Sequence, residues 1–240
     1  MTTSDASLPR ENKQKEILSN TPPWSLGPSL YENPLASASD VAGFRMEGRA
    51  EATFPNGRLR LASEEGTFLF WCPEIFPDDV CLTWDFWPLH HSGLCMFFFA
   101  AKARGGEDIF APGIAPRNGG YGQYHSGDIN TLHLAYFRRK HPAERSLHTV
   151  NLRKSYGFHL VAQGADPIPM PECALPPYRL ALWKTGPRVV FAINDLAVLD
   201  WVDDGETYGP VLAGGHIGFR QMAPMIGEYA NFSVRPIEKR

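Results

Sequence analysis

The chain has 240 residues, of which 43% are hydrophobic and 20% are charged, and its formal net charge is −3 at pH 7. This length suits one large domain with a substantial core. Its mild acidity argues against nucleic acid as the main partner, because nucleic-acid binders need long basic surfaces. The N-terminus has no apolar segment of a secretory signal, and no apolar run approaches the roughly 18 residues that span a bilayer. We therefore expect a cytoplasmic protein without a membrane partner.

Composition favours an all-β domain. The chain has 22 Gly, 21 Pro and 12% aromatic residues, a mixture typical of strands joined by many turns. Residues 1–22 are polar and charged, so we expect a flexible N-terminal arm followed by a single domain at residues 23–240. The four cysteines show no CxxC spacing, and we expect reduced thiols.

The first long strands are predicted in the middle of the chain. Alternation over residues 80–87 places Trp84 on one side of a strand, and Asp85 and Trp87 on the other. That second side is either a sugar-binding surface or an ordinary exposed face with an interfacial Trp. Residues 94–103 are apolar on both faces, which predicts a central strand covered on both sides.

Turn-forming residues divide most of the remaining domain into strands. Asn56–Gly57, Thr185–Pro187 and Asn194–Asp195 each predict a tight turn between two apolar segments. No segment shows the period and caps of an amphipathic helix. Further strands are predicted at residues 129–139, 146–154, 214–222 and 227–237, with a turn at 140–145.

The stretch at residues 117–159 combines basic, titratable and aromatic side chains. It holds seven Lys or Arg against two carboxylates, and five of the eight histidines. Its first part lies in a long Gly-rich loop at residues 104–128, and loops of this length are frequently functional. The stretch indicates either a site for a small anionic ligand or a solvated basic face, and its density of His and Tyr favours the site.

Several segments of the chain resemble a known family. The last third contains Gly-x-Ile-Gly-Phe before a final strand, and it resembles the closing strands of the concanavalin A-like lectin/glucanase superfamily. The middle resembles the YesU-like family, a domain of unknown function, in the blocks FWCPEIFPDDV, FFFAAKARGGEDIF, YGQYHSGDINTLHLAYFRR, NLRKSYGFHLVAQGADPIP and GFRQMAP. The resemblance implies an all-β, two-sheet antiparallel β-sandwich of the concanavalin A-like jelly-roll type. It also implies a carbohydrate-active protein, because family members accompany genes for pectin or rhamnogalacturonan breakdown.

The residue types of the basic stretch favour lyase-type β-elimination from a uronate-containing oligosaccharide. Abstraction of the proton beside a carboxylate requires cations that neutralise the carboxylate, hydrogen-bond donors, and a base and an acid of suitable pKa. The candidate catalytic residues are His125, Tyr136 and Asp128. The candidate substrate-binding residues are Trp87, Gln123, Tyr124, Arg138, Asn151, Arg153 and His159.

Two other functions remain open on the sequence. A glycoside hydrolase needs two carboxylates across a cleft, and Asp85, Glu107 and Asp128 are isolated candidates. A non-catalytic carbohydrate-binding module would use Trp87, Tyr124 and Trp183 as stacking platforms. A metal ion could be held by His125 and Asp128 with Glu107 and Asp108, but no spacing matches a metal motif, so we expect no cofactor.

Overall fold

The structure is a computed structural model that describes residues 24–139 and 148–238. The proposed N-terminal arm at residues 1–22 and the predicted turn at 140–145 lie outside these residues. Over the two described ranges, no helix is long and apolar enough to cross a membrane.

The described residues form sixteen β-strands, one short α-helix and two 3-10 turns. The strands are β1 Ser25–Leu26, β2 Tyr31–Asn33, β3 Arg45–Gly48, β4 Glu51–Thr53, β5 Leu59–Ala62, β6 Thr67–Phe76, β7 Val80–Pro88, β8 Gly93–Ala103, β9 Ile129–Arg139, β10 Thr149–Ser155, β11 His159–Ala165, β12 Tyr178–Thr185, β13 Arg188–Ile193, β14 Leu196–Val202, β15 Gly215–Met222 and β16 Ile226–Glu238. The helix is α1 Gly122–His125, and the 3-10 turns are Pro55–Gly57 and Pro171–Cys173.

The strands form two antiparallel sheets that pack face to face. The seven-stranded sheet has the order β11-β10-β9-β8-β15-β6-β3. The nine-stranded sheet has the order β14-β13-β12-β7-β16-β5-β4. The short strands β1 and β2 also pair with β16. The predicted all-β, two-sheet antiparallel sandwich is therefore confirmed.

Aromatic side chains fill the space between the sheets, as the alternation in β7 predicts. Trp84 of β7 is 1% exposed and stacks on Phe97 of β8, with ring centroids 4.4 Å apart. Phe86, next on the same side of β7, is also buried in this core. Removal of each such side chain from water stabilises the fold by about 2–3 kcal/mol, so the core holds the two sheets together.

Strand β8 is covered on both faces, as predicted from its sequence. Phe97 points into the core between the sheets, whereas Met96 and Phe98 belong to a second apolar cluster on the outer face of the seven-stranded sheet. Ile109 and Tyr124, from the long loop at residues 104–128, complete that cluster. We call residues 104–128 the covering loop, because they lie over the outer face of the sheet.

The predicted tight turns join neighbouring antiparallel strands. Asn56 and Gly57 have φ values of 58° and 65°, and they connect β4 to β5. Asn194 and Asp195 have φ values of 49° and 64°, and they connect β13 to β14. Asn and Asp tolerate this left-handed conformation better than most residues, which is why these positions could be read from the sequence.

Candidate functional site

The outer face of the seven-stranded sheet places aromatic and basic side chains side by side. The strand register makes His133 of β9 the direct neighbour of both Phe98 of β8 and Arg153 of β10. The Phe98 and His133 rings stack with centroids 4.7 Å apart and an interplanar angle of 8°. Arg220 of β15 lies on the same face, next to Met96.

A β-bulge in β9 decides which way the candidate residue Arg138 points. Ala135 pairs with Met96 and Phe137 pairs with Cys95, so Tyr136 is an extra residue between them. Tyr136 follows the alternation of the strand into the core between the sheets, fully buried, and the extra residue puts Phe137 on the core side as well. Arg138, two residues later, pairs with Leu94 and returns to the outer face. We call this face, with Arg138, Arg153 and Arg220, the arginine face.

The prediction that Tyr136 is a catalytic acid or base is wrong. Its side chain is enclosed by aromatic residues of the core, among them Trp84 and Phe86. Burial raises the pKa of Tyr136 well above its usual value. No substrate on the arginine face could contact it.

The covering loop brings a different tyrosine onto the arginine face. Tyr121 precedes α1, and its hydroxyl lies 2.8 Å from Nε2 of His133. His125, at the end of α1, lies beside Tyr121, with ring centroids 5.0 Å apart. Because one turn of helix separates them in sequence, the loop presents a phenol and an imidazole next to each other.

Phe158, in the turn between β10 and β11, connects His125 to Arg153. The His125 ring lies 4.3 Å from the Phe158 ring, centroid to centroid, and Cζ of Arg153 lies 4.0 Å from the centroid of the same ring. Arg153 also donates a hydrogen bond of 3.1 Å from Nη1 to the Phe158 carbonyl. The guanidinium is thereby held in one orientation by a cation–π contact and a hydrogen bond.

Arg220 is fully buried beneath the covering loop. Its Cζ lies 4.9 Å from the Tyr121 ring and 4.8 Å from the Tyr124 ring, and its Nη2 donates to the Gly119 carbonyl at 2.9 Å. Its Nε and Nη1 have no hydrogen-bond partner among the described residues. Burial lowers the pKa of Arg220, because removal from water disfavours the charged form of the guanidinium.

The arginine face contrasts with the buried ion pairs of the protein in how its cations are paired. Within the described ranges, Arg138, Arg153 and Arg220 form no ion pair with a carboxylate. Such an uncompensated set of guanidinium groups is suited to binding an anion. Other buried cations each have a carboxylate partner, in the pairs Arg117–Glu47, Arg139–Asp166, Lys154–Asp203 and Lys184–Asp78.

Burial and the neighbouring arginines shift the pKa values of the titratable groups on this face. Burial raises the pKa of Tyr121 to about 12, although Arg153, Arg220 and Arg138 oppose the shift. Burial, followed by Arg153 and Arg220, lowers the pKa of His125. At neutral pH the phenol is therefore protonated and His125 is neutral, so the pair offers one proton donor and one proton acceptor.

The other predicted residues of the loop and of β10 have local partners. Asn151 lies on the same side of β10 as Arg153, and its Oδ1 accepts hydrogen bonds from Gln163 at 2.8 Å and Thr149 at 3.3 Å. Gln123 Oε1 accepts from the backbone N–H of Asn118 at 2.9 Å, which supports the covering loop itself. Exposed Asp128 Oδ2 accepts from the backbone N–H of Ala115 at 3.2 Å.

Three aromatic residues predicted to stack on sugar are not available to a ligand on the arginine face. Trp87 is on the outer side of the nine-stranded sheet, where Cζ of Arg58 lies 4.5 Å from its ring. Trp183 is buried on that same sheet, with only 8% of its surface exposed. Tyr124 is part of the covering loop and is fully buried between this loop and the sheet, beside Arg220. The predictions for these three residues are wrong, because Trp87 and Trp183 belong to the opposite sheet and the Tyr124 ring is covered by protein.

His159 is also displaced from the arginine face. It pairs with Lys154, which points to the opposite side of β10 from Arg153. Its ring stacks on Tyr208, with centroids 4.1 Å apart. The prediction that His159 binds the same ligand as Arg153 is therefore wrong.

Glu47 of the edge strand β3 anchors the covering loop. Its carboxylate accepts hydrogen bonds from Trp71 Nε1 at 2.9 Å and from the Tyr124 hydroxyl at 2.8 Å. Arg117 donates to it from Nε at 3.1 Å and from Nη2 at 2.8 Å, and also binds the Ile109 carbonyl. Glu47 thus holds the segment that carries Tyr121 and His125 in place.

The residues considered for a metal ion do not converge. Asp108 lies 3.1 Å from His216, from Oδ2 to Nε2, whereas His125 Nδ1 lies 2.7 Å from the Ser126 hydroxyl. Across the part of the chain that the structure describes, no three His, Cys, Asp or Glu side chains form a group that could hold a metal ion.

Sequence reasoning missed several of the residues that form this face. The alternation of β9 could have placed His133 on the same face as Arg153. Leu132 and Leu134, its neighbours in sequence, are core positions of the strand, so His133 points to the outer face. Tyr121 and Arg220 had no comparable signal, because their proximity depends on how the covering loop folds over β15.

Comparison with known proteins identifies close relatives. Residues 28–234 match the family described as Domain of unknown function (DUF1961). The chain is 55% identical over 216 residues to the uncharacterized protein YesU of Bacillus subtilis (strain 168), covering 89% of this chain and 98% of YesU. It is similar, with a TM-score of 0.88 and 54% identity, to the crystal structure of a protein of unknown function with galectin-like fold from Bacillus subtilis, covering 90% of this chain and 100% of that one.

More distant structures share the fold. The carbohydrate-binding module CBM66 from Bacillus subtilis has a TM-score of 0.53 and 15% identity, covering 80% of this chain and 95% of the module. The exoplasmic/lumenal domain of VIP36, in a Ca2+/Man3GlcNAc-bound form, has a TM-score of 0.58 and 12% identity, covering 90% of this chain and 92% of that domain. The match over nearly the whole domain and the high identity to YesU show that this chain belongs to the YesU-like family of unknown function, DUF1961.

Proposed function

We propose that the arginine face binds an acidic, uronate-containing oligosaccharide and that the protein cleaves it by β-elimination. The observation that carries this proposal is the set of three guanidinium groups without a carboxylate partner in the described ranges, placed around the neighbouring side chains of Tyr121 and His125. A carboxylate ligand would supply the negative charge that the partly exposed Arg138 and Arg153 lack, with Arg220 beneath them adding to the positive field.

The reaction divides between the two neighbouring side chains. Neutral His125 takes the proton from the carbon beside the uronate carboxylate, and the electron pair forms a carbon–carbon double bond as the adjacent carbon–oxygen bond breaks. Tyr121 gives its proton to the departing oxygen. Afterwards His125 releases the proton that it took to solvent, and Tyr121 recovers one from solvent. Arg153 and Arg138 stabilise the negative charge that builds up on the carboxylate during this step.

The known structures support a sugar as the ligand class. CBM66 is a carbohydrate-binding module by its name, and the VIP36 domain is described with a bound mannose-containing saccharide. Both have the same two-sheet fold as this chain, so the fold is one on which saccharide sites occur. The arginine face adds the preference for an acidic sugar.

Hydrolysis is a weaker candidate on this geometry. Glu47 is held by hydrogen bonds from Trp71, Tyr124 and Arg117, and Asp108 is paired with His216. These two carboxylates are thus engaged in holding the covering loop, and Asp128 accepts a hydrogen bond from the Ala115 backbone within the same loop. A hydrolase needs two free carboxylates, one as a general acid and the other as base or nucleophile.

A non-catalytic binding module is the second candidate, and the likeness to CBM66 favours it.

A single experiment distinguishes the lyase from the binding module. The whole chain is incubated with rhamnogalacturonan, polygalacturonan, glucuronan and neutral oligosaccharides, and the products are followed by mass and by the ultraviolet absorbance of an unsaturated uronate. We expect a new double bond with acidic substrates alone. Binding of an acidic saccharide without turnover would establish the module, and turnover of neutral sugars alone would overturn the uronate proposal.

A further inference from the structure

A groove on the outer face of the nine-stranded sheet has the dimensions of a ligand site. Its volume is about 470 Å³, within the range of roughly 300–1,000 Å³ that is usual for small-molecule pockets. It runs over β2, β16, β7 and β12, on the opposite sheet from the arginine face. We call it the outer groove.

Small polar side chains line the middle of the outer groove. Ser233 of β16 pairs with Glu32 of β2 on one side and with Thr83 of β7 on the other. Thr83 in turn pairs with Ala181 of β12. A row of short side chains between longer ones leaves a trough, and the hydroxyls of Ser233 and Thr83 can each donate or accept a hydrogen bond.

Two arginines line the outer groove, from the two strands that flank β7. Arg235 of β16 pairs with Cys81 of β7, and Arg179 lies on β12. Burial raises the pKa of the Cys81 thiol to about 12, and both arginines oppose the shift. Arg235 binds the Gly27 and Leu26 carbonyls through Nε and Nη2, which orients the group and leaves Nη1 for another acceptor. Neither arginine has a carboxylate partner among residues 24–139 and 148–238.

A distortion of β16 turns an amide toward the outer groove. Asn231 has a φ of 53°, in the left-handed region, at the register shift between Ala230 and Ser233. Its Nδ2 donates a hydrogen bond to Asp85 Oδ2 at 2.8 Å. The Oδ1 atom of Asn231 remains available as an acceptor for a ligand. Asn tolerates this conformation better than most residues, so the distortion places the amide at the groove at little cost.

We propose that the outer groove is a second ligand site, for a sugar acid of one or two residues. The guanidinium groups of Arg179 and Arg235 bind the carboxylate. Thr83, Ser233, Asn231 and Glu32 bind hydroxyls, because together they provide both donors and acceptors. A simple anion would use the arginines alone, and a neutral sugar would leave both charges uncompensated.

Calorimetric titration of the whole chain with D-galacturonate, D-galactose and acetate tests the ligand class. The titration is also made on Arg153→Ala. This variant weakens binding at the arginine face, so binding that remains in it belongs to the outer groove and not to the function proposed above. We expect galacturonate to bind at least about 10-fold more tightly than either comparator. Galactose lacks the carboxylate and its charge-assisted hydrogen bond, and acetate lacks the hydroxyls, which make two to three neutral hydrogen bonds. We expect that binding to persist in Arg153→Ala. Equal affinity for galacturonate and acetate, or loss of binding in Arg153→Ala, overturns the proposal.

Variants of the outer groove test its position. Arg179→Ala changes an exposed side chain and should weaken galacturonate binding by about 10-fold or more, and Ser233→Phe should abolish it by filling the trough. Arg188→Ala, which removes a surface arginine on the same sheet that pairs with Asp200, is the matched control. Each variant's melting temperature shows whether the fold is intact. Unchanged binding in a folded Arg179→Ala overturns the assignment, whatever the result with Ser233→Phe.

Discussion

The hydroxyl of Tyr121 and Nε2 of His133 lie 2.8 Å apart, and this contact joins the covering loop to the sheet beneath it. Burial lowers the pKa of His133 well below its usual value, so the ring is neutral. Nδ1 of His133 has no hydrogen-bond partner among the described residues, so the tautomer with the proton on Nε2 avoids an unpaired buried N–H; Nε2 then donates to the Tyr121 oxygen, and the phenol keeps its own proton for a ligand. The phenol is therefore held over the arginine face in a defined orientation, next to His125.

Tyr121→Phe tests the proton donor. The substitution removes the hydroxyl and keeps the ring that packs on Arg220 and Phe158. We expect kcat on an acidic oligosaccharide to fall by about 10²-fold or more, the usual contribution of general acid catalysis, with little change in binding.

The control is Tyr208→Phe, which alters an exposed tyrosine outside the arginine face. Its turnover should match that of the wild type. Equal turnover by Tyr121→Phe and Tyr208→Phe would remove Tyr121 from the mechanism.

Arg153 provides the test of carboxylate recognition. Arg153→Ala should lower kcat/KM for acidic substrates by about two orders of magnitude, because it removes a cation from the site of developing charge. Arg153→Lys should recover only part of the loss, since an ammonium group cannot form the bidentate contact. The affinity of the wild type should fall with added salt as exposed charges are screened.

Arg188→Ala is the matched control, because Arg188 forms a surface ion pair with Asp200. If both alanine variants lose activity equally, the effect reflects general charge rather than recognition by Arg153.

His133 makes stability depend on pH. Its folded pKa lies well below the value of 6.5 that is usual for the unfolded chain. Above pH 6.5 the His133 side chain is neutral in both the folded and the unfolded protein, so it contributes no pH dependence to stability. Below it the unfolded state binds a proton that the folded state does not, so the free energy of unfolding falls by up to about 1.4 kcal/mol per pH unit.

Urea unfolding between about pH 7 and pH 5 measures this effect, a window that begins at the usual pKa of histidine. In His133→Gln the decrease should be smaller than in the wild type. Exposed His148 gives the control variant His148→Gln, which should leave the slope unchanged. An identical slope in His133→Gln and the wild type would contradict the assignment.

Glu47 tests how firmly the covering loop is held. Glu47→Gln keeps the shape of the side chain and removes the charge that pairs with buried Arg117. Breaking one partner of a buried ion pair costs about 3–5 kcal/mol, so we expect a loss of that order in the free energy of unfolding. Glu51→Gln, at an exposed position of β4, should be nearly neutral, and equal losses would show that Glu47 has no special role.

Gly119 tests the close approach of the covering loop to β6. Its φ is 93°, and a Cβ at this position would clash with the Thr67 carbonyl oxygen. Gly119→Ala should destabilise the protein by about 2 kcal/mol or more, because the left-handed backbone alone costs about 1–2 kcal/mol. Gly122→Ala, where a Cβ would meet no atom within 4 Å, is the control and should retain or gain stability in a thermal melt. Equal melting temperatures for the two variants would contradict the predicted close contact.

Local patterns determined the fold to a large extent. The alternation that buries Trp84 and Phe86, and the doubly apolar sequence of β8, each arise from neighbours within a single strand. The turns at Asn56–Gly57 and Asn194–Asp195 depend on residues that tolerate positive φ. Such signals reside in the chain itself, so they need no knowledge of which strands become partners.

The tertiary structure decided which side chains form the candidate site. A single extra residue in β9 put Phe137 in the core next to Tyr136 and returned Arg138 to the outer face, and this bulge has no clear signature in the sequence. Tyr121 and Arg220 are about a hundred residues apart and meet because the covering loop crosses β15. The sequence determined that Arg153 and Asn151 share a face, since they alternate along one strand. Their companions depend on long-range packing, where one residue of register or one loop path changes every contact.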